Sequence, residues 1–218
     1  MQRQKSDVAW REGEVPVSTR FDDPYFSLEN GLDETRHVFL SGNDLPERFR
    51  DGFHVTELGF GTGLNFLATV QAWGDRLGRL HFTSFEAYPL ERTEMARALA
   101  AFPGLDAAPL LEAWEPERVM QVGPASLRLV LGDARKTLPE WEGRADAWFL
   151  DGFSPAKNPE LWEPALLSEV AHHTAPGGTA ATYSAAGPVR RALAEAGFTV
   201  ERVPGFGRKR HMTRARMA

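Results

Sequence analysis

Asp151 closes the apolar run Trp148-Phe149-Leu150 and opens the loop Gly152-Phe-Ser-Pro-Ala-Lys-Asn-Pro-Glu-Leu-Trp162. A carboxylate at the end of a buried strand sits where open α/β enzymes bind ligands and react them. It can hold an amine and take its proton, and Pro155 and Pro159 stiffen the loop that would position the acceptor. Upstream, Glu57-Leu-Gly-Phe-Gly-Thr-Gly63 follows Phe53-His-Val-Thr and precedes the apolar stretch Leu64 to Trp73. Strand, glycine turn and helix in that order present bare backbone amides to a nucleotide-like ligand.

The glycine turn is neither a dinucleotide fingerprint nor a phosphate-binding P-loop. Counted from Gly59 the sixth position is Leu64, and no Gly-Lys-Ser/Thr follows. Two further acids end strand candidates, Glu86 in Phe82-Thr-Ser-Phe-Glu86 and Asp133 in Leu129-Val-Leu-Gly-Asp133. Each alone is equally readable as a helix cap or turn residue. In register with the glycine turn they resemble the S-adenosylmethionine pocket of class I methyltransferases. That resemblance implies that Glu86 binds the ribose and Asp133 the adenine amino group. Glu57 then orients backbone amides or the amino-acid end of the cofactor.

The elements that must hold these residues follow from hydrophobic period. Strands are expected at 53–57, 80–86, 126–131, 145–150, 178–183, 198–203 and 210–215, and helices at 64–73, 90–101, 160–173 and 187–196. Alternation predicts an α/β fold: a Rossmann-like, mostly parallel seven-stranded sheet covered on both faces, with the last two strands as an antiparallel hairpin at its edge. Residues 1–45 read as an aromatic-rich extension packed on a core domain at 46–218, with a turn at Gly42-Asn43-Asp44.

The chain has 218 residues, 42% of them hydrophobic, no cysteine and a net charge of −5. Thiol chemistry, disulfides and cysteine-bound metals are therefore excluded, and the scattered histidines suggest no metal site. No apolar run approaches the roughly 20 residues of a spanning helix, so the expectation is a cytoplasmic protein without a membrane partner. Residues 187–218 hold eight Lys/Arg against two Asp/Glu, leaving −11 on the rest. This end is readable as a phosphate-facing surface or as a solvated cationic face.

Phe21-Asp-Asp-Pro-Tyr-Phe-Ser27, the stretch from Glu57 to Asn65, Asp151-Gly-Phe-Ser-Pro-Ala-Lys-Asn-Pro159 and Gly205-Phe-Gly-Arg-Lys-Arg210 together resemble the methyltransferase part of the MnmC family over nearly the whole chain. The Asp151 loop is the specific signature, since glycine turns are common to many methyltransferases. The resemblance implies methylation of 5-aminomethyl-(2-thio)uridine at the tRNA wobble position, with S-adenosylmethionine as donor and the anticodon stem-loop as partner. Asp151 would be the catalytic carboxylate. Glu57, Gly59, Phe60, Gly61, Thr62, Gly63, Asn65, Glu86 and Asp133 would hold the cofactor.

Phe153, Lys157, Asn158 and Tyr183 are candidates for the substrate pocket, and Arg190, Arg191, Arg208, Lys209 and Arg210 for a tRNA-facing surface. For most of these, capping, packing or bracing is the competing role, as it is for Trp162. Because the chain ends soon after the pattern, it resembles the stand-alone, MnmD-like form without the fused flavin domain. Separate upstream enzymes would then supply its aminomethyl substrate. Two other functions stay open: a small-molecule amine methyltransferase or aminopropyltransferase, and a non-catalytic nucleotide- or RNA-binding module.

Overall fold

The computed structural model describes residues 8–11, 15–27 and 30–218; the other parts of the expected N-terminal extension lie outside it. Strands β1 (Val8–Arg11), β2 (Val15–Ser18) and β3 (Asp23–Pro24) pair antiparallel into a small sheet. Helix α1 (Gly31–Thr35) is capped by the Asn30 side chain, which accepts from the Asp33 amide. It runs on through a π-helical turn (Arg36–Leu40) and a 3-10 turn (Ser41–Asn43) to Asp44, whose φ is +54°. Val38, Phe39, Leu40 and Leu45 are buried in the same core cluster as β4 and β8, defined below.

The main sheet is built by β4 (Phe53–Leu58), α2 (Leu64–Trp73), β5 (Leu80–Glu86), α3 (Arg92–Leu99), α4 (Ala108–Ala113), β6 (Val119–Val122), β7 (Ala125–Leu131), α5 (Ala134–Thr137) and β8 (Ala145–Leu150). A 3-10 turn (Pro159–Trp162), α6 (Pro164–His172), β9 (Thr174–Thr182), α7 (Gly187–Glu195), β10 (Phe198–Pro204) and β11 (His211–Met217) complete it. Its order is β10-β11-β9-β8-β4-β5-β7-β6. β7, β5, β4, β8 and β9 run parallel, and β11 pairs antiparallel with both β9 and β10.

Strand-helix alternation and the C-terminal hairpin are as the sequence predicts. The sheet has eight strands rather than seven because β6 adds an antiparallel edge beside β7. β6 is only four residues long, Val-Met-Gln-Val, and buries just Met120 and Val122; its hydrophobic signal is too short to separate from a loop. Helices α4 and α5, six and four residues long, escape the sequence reading for the same reason.

Along β8 successive side chains enter opposite core layers: Ala147 and Phe149 pack with Val55, Phe66 and Phe82, whereas Trp148 and Leu150 pack with Leu58, Leu166 and Leu193. Burial on both faces explains the apolar run Ala147–Leu150 that ends β8. It also leaves the polar residue that follows this run, Asp151, at the carboxyl edge of the sheet. β4 and β8 are adjacent, with Leu58 opposite Leu150, so the glycine turn and the Asp151 loop emerge side by side.

Candidate active site

Gly59, Gly61 and Gly63 have φ of +90°, +54° and +82°, values that favour glycine. At Gly59 the requirement is also spatial, because a Cβ there would stand 3.0 Å from the Asp151 carbonyl oxygen. Gly63 caps α2, whose first turn carries the buried Asn65. The Asn65 amide donates to Glu57 Oε1 at 2.8 Å and to Asp151 Oδ2 at 2.6 Å. Its own oxygen accepts from the Thr35 hydroxyl at 2.8 Å, and Ser84 Oγ donates to Glu57 Oε2 at 2.8 Å. The amide thus joins the end of β4 to the end of β8.

Burial pushes the Glu57 carboxyl well above its usual range, against the hydrogen bonds from Asn65 and Ser84. Burial also raises Asp151, to about 7, with Asn65 and Lys209 opposing the rise and the Glu34 charge adding to it. A carboxylate poised there changes charge near neutral pH. Glu86 is raised by burial as well; it accepts from the Gly61 amide at 3.1 Å and the Tyr88 amide at 2.7 Å. Asp133 caps α5 and grips Arg135, with Oδ2 2.7 Å from Nη2; this holds its carboxyl below the usual range.

The Asp151 loop is tied from several sides. Tyr183, just past β9, donates its hydroxyl to the Gly152 carbonyl at 2.7 Å, and Trp162 Nε1 donates to the Phe153 carbonyl at 2.8 Å. The Ser154 amide donates to Asp23 Oδ2 at 2.8 Å, and Lys157 Nζ lies 2.9 Å from Asp22 Oδ2. The Phe153 ring packs against Phe21 and Tyr25, with centroids 4.9 and 5.2 Å away. The segment around β3 therefore straps the loop.

One cleft of about 1230 Å³ collects most of the residues singled out by the sequence. Gly59, Phe60, Gly61, Thr62, Asn65, Glu86 and Asp133 line one part of it, and Asp151, Phe153, Lys157, Asn158, Tyr183, Arg208 and Lys209 another. Glu57, which Asn65 contacts, and Gly63 are not among the lining residues, and neither are Arg190, Arg191 and Arg210. Lys157 is paired with Asp22 rather than free, and Trp162 is a core residue. Lys209 pairs with Glu34 at 2.8 Å, and Arg214 and Arg216 both grip Asp44, so part of the C-terminal positive charge braces the fold.

The sequence reading missed Asp22, Asp23, Tyr25, Glu34 and Thr35. The first three lie inside a motif it quoted, Phe21 to Ser27, which was the available signal; for Glu34 and Thr35 the signal was only their place in the N-terminal segment expected to pack on the core. No helix among the described residues is long and apolar enough to cross a membrane, and no three metal-ligating side chains converge among them.

A family model described as S-adenosyl-L-methionine-dependent methyltransferase matches residues 107–218. The bifunctional protein MnmC of Stutzerimonas stutzeri, named for tRNA 5-methylaminomethyl-2-thiouridine biosynthesis, is 46% identical over 230 residues, spanning 98% of this chain and 35% of that relative. A protein of the same name from a Caulobacter species is 46% identical over 228 residues, spanning 96% and 38%. The chain thus spans about a third of the length of these curated relatives. The crystal structure of MnmC2 from Aquifex aeolicus matches at 28% identity with a TM-score of 0.77, covering 98% of this chain and 71% of that one. On these matches and this geometry, the chain belongs to the S-adenosyl-L-methionine-dependent methyltransferase family.

Proposed function

We propose that the protein transfers a methyl group to the exocyclic amine of 5-aminomethyl-(2-thio)uridine at the wobble position of tRNA, giving 5-methylaminomethyl-(2-thio)uridine. The observation that carries this reading is the Asp151 carboxylate, fixed by Asn65 at 2.6 Å and opening on the cleft beside the glycine turn. The names of the MnmC relatives support the choice of substrate.

The residues present fit the cofactor. The glycine turn offers backbone without side chains, Glu86 is a half-buried acid at the end of the second parallel strand, and the cleft is larger than the roughly 300–1,000 Å³ typical of one small ligand. Glu86 would hold the ribose hydroxyls, Asp133 the adenine amino group, and the glycine turn with Glu57 behind it the amino-acid end. When bound, S-adenosylmethionine supplies an electrophilic methyl carbon on a sulfonium.

The acceptor must present a neutral nitrogen in line with that carbon. With Oδ2 bonded to Asn65, Oδ1 of Asp151 is the oxygen that meets the substrate amine, orients its lone pair and takes its proton. A pKa raised to about 7 leaves the carboxylate ionised and a competent acceptor just above neutrality. Phe153 and Tyr183 wall the acceptor side, Asn158 lies buried in the loop between them, and the exposed Arg208 and Arg210 face the RNA.

The test is incubation with S-adenosylmethionine and tRNA from cells lacking this methylation, followed by digestion and mass spectrometry. One added methyl on wobble 5-aminomethyluridines is the expected result. Asp151→Asn should keep S-adenosylmethionine binding and lose most turnover. Methylation of free amines with none of tRNA would select a small-molecule methyltransferase instead.

A further inference from the structure

Lys209 places its ammonium 2.8 Å from Glu34 Oε1 and 4.0 Å from the centroid of the Tyr183 ring. All three residues line the cleft that Asp151 opens on. The two sides of this contact are unequally held. Glu34 is on α1, with only 12% of its side chain exposed, and the next residue, Thr35, is anchored to Asn65. Tyr183 is pinned through its hydroxyl to the Gly152 carbonyl, one residue from Asp151. Lys209 belongs to the turn between β10 and β11, and 46% of its side chain is exposed.

A fixed carboxylate and a fixed aromatic face are the chemistry that receives an alkylammonium ion. The fixed half of the contact is the receptor; the amine is the half free to move. Exchanging one alkylammonium for another leaves the charge beside Glu34 unchanged, so displacement strands no buried carboxylate. The proximity to the catalytic acid is also felt electrostatically, since Glu34 raises the Asp151 carboxyl and Lys209 lowers it.

We propose that Glu34 and the Tyr183 ring form the docking subsite for the protonated amine of the acceptor, and that Lys209 occupies this subsite until the substrate's alkylammonium displaces it. The inference rests on the amine-acceptor reading above and assigns Glu34 to substrate binding. The amine arrives protonated at Glu34 and gives up its proton at Asp151.

Two measurements test it. In protein carrying 13C-labelled tyrosine, of which the chain has three, the Tyr183 signal is assigned with Tyr183→Phe. Ethylammonium chloride should move that signal where sodium chloride at equal ionic strength does not, and Glu34→Gln should abolish the response. No ethylammonium-specific shift in the wild type overturns the subsite, whatever the biological acceptor is. In methyl transfer to aminomethyl-bearing tRNA, Glu34→Gln should raise KM about tenfold with S-adenosylmethionine affinity unchanged, whereas Lys209→Gln should lower KM roughly two- to fivefold by vacating the subsite. A Lys209→Gln variant whose KM rises as far as that of Glu34→Gln overturns the proposal, because Lys209 would then be the substrate contact. An intact ethylammonium response with no methylation of tRNA would count against the tRNA reading alone.

Discussion

Asn65 Nδ2 lies 2.6 Å from Asp151 Oδ2, and this bond ties the first turn of α2 to the loop after β8. The same amide also donates to Glu57, and Thr35 fixes its orientation by donating to Oδ1. Asn65 therefore positions the Asp151 carboxylate, and it lines the cleft together with the glycine turn. Its hydrogen bond favours the charged form of Asp151, opposing the rise caused by burial. Asn65→Ala should move the acid limb of the methyl-transfer pH profile upward from about 7 and reduce kcat about 100-fold through misplacement of the carboxylate. A profile left at the wild-type pH would show that Asn65 does not set the charge of Asp151.

Removing the charge of Asp151 should stabilise the protein, and the pH dependence has a definite sign. Burial raises this carboxyl from 3.8 to about 7. Between those values the native state keeps a proton that the unfolded chain has released, so its contribution to stability is present at low pH and lost as pH rises through about 7. Asp151→Asn lacks that loss. Its melting temperature should exceed the wild-type value at pH 8 by more than at pH 5. Equal differences at both pH values would contradict the raised pKa.

Gly59 has a positive φ and lies directly under the Asp151 carbonyl, whereas Gly52 has a positive φ with nothing within 4 Å of a would-be Cβ. The pair separates backbone strain from loss of the site. Gly52→Ala should cost about 1 kcal/mol in urea unfolding and leave S-adenosylmethionine binding intact. Gly59→Ala should add to that strain a contact with backbone that cannot give way, pushing the Asp151 loop outward. Methyl transfer should fall at least about 100-fold, since misplacement of the order of 1 Å suffices for that loss. Similar activity in the two variants would show that the close approach at Gly59 is unimportant.

What was legible in the sequence was local. Strand ends could be placed because β4, β5 and β8 are largely buried and each runs into a turn or loop at its carboxyl end, so Glu57, Glu86 and Asp151 fall near one edge of the sheet. The glycine turn was legible because few residues other than glycine follow that backbone path. Partners remote along the chain were not. Lys157 reads as a substrate-pocket candidate in the Asp151 loop, yet its ammonium pairs with Asp22, 135 residues away; Lys209 pairs with Glu34 across 175. Neither hydrophobic period nor motif spacing encodes such pairings, which depend on how the strap and the C-terminal hairpin fold over the sheet edge.

The strap offers a final distinction, between Asp23 and Lys157. Asp23 accepts a hydrogen bond from the Ser154 amide and is mostly buried, its side chain 20% exposed. Lys157 meets an Asp22 whose side chain is 76% exposed. Exposed ion pairs contribute little, so Lys157→Ala should change stability by less than about 1 kcal/mol and leave the loop in place. Asp23→Ala instead removes the acceptor of a loop amide three residues beyond Asp151. Hydrogen exchange at Ser154 should accelerate, and kcat should fall about tenfold, while S-adenosylmethionine affinity changes little. Unchanged Ser154 protection in Asp23→Ala, with faster exchange in Lys157→Ala, would reverse the assignment and make the exposed pair the anchor of the loop.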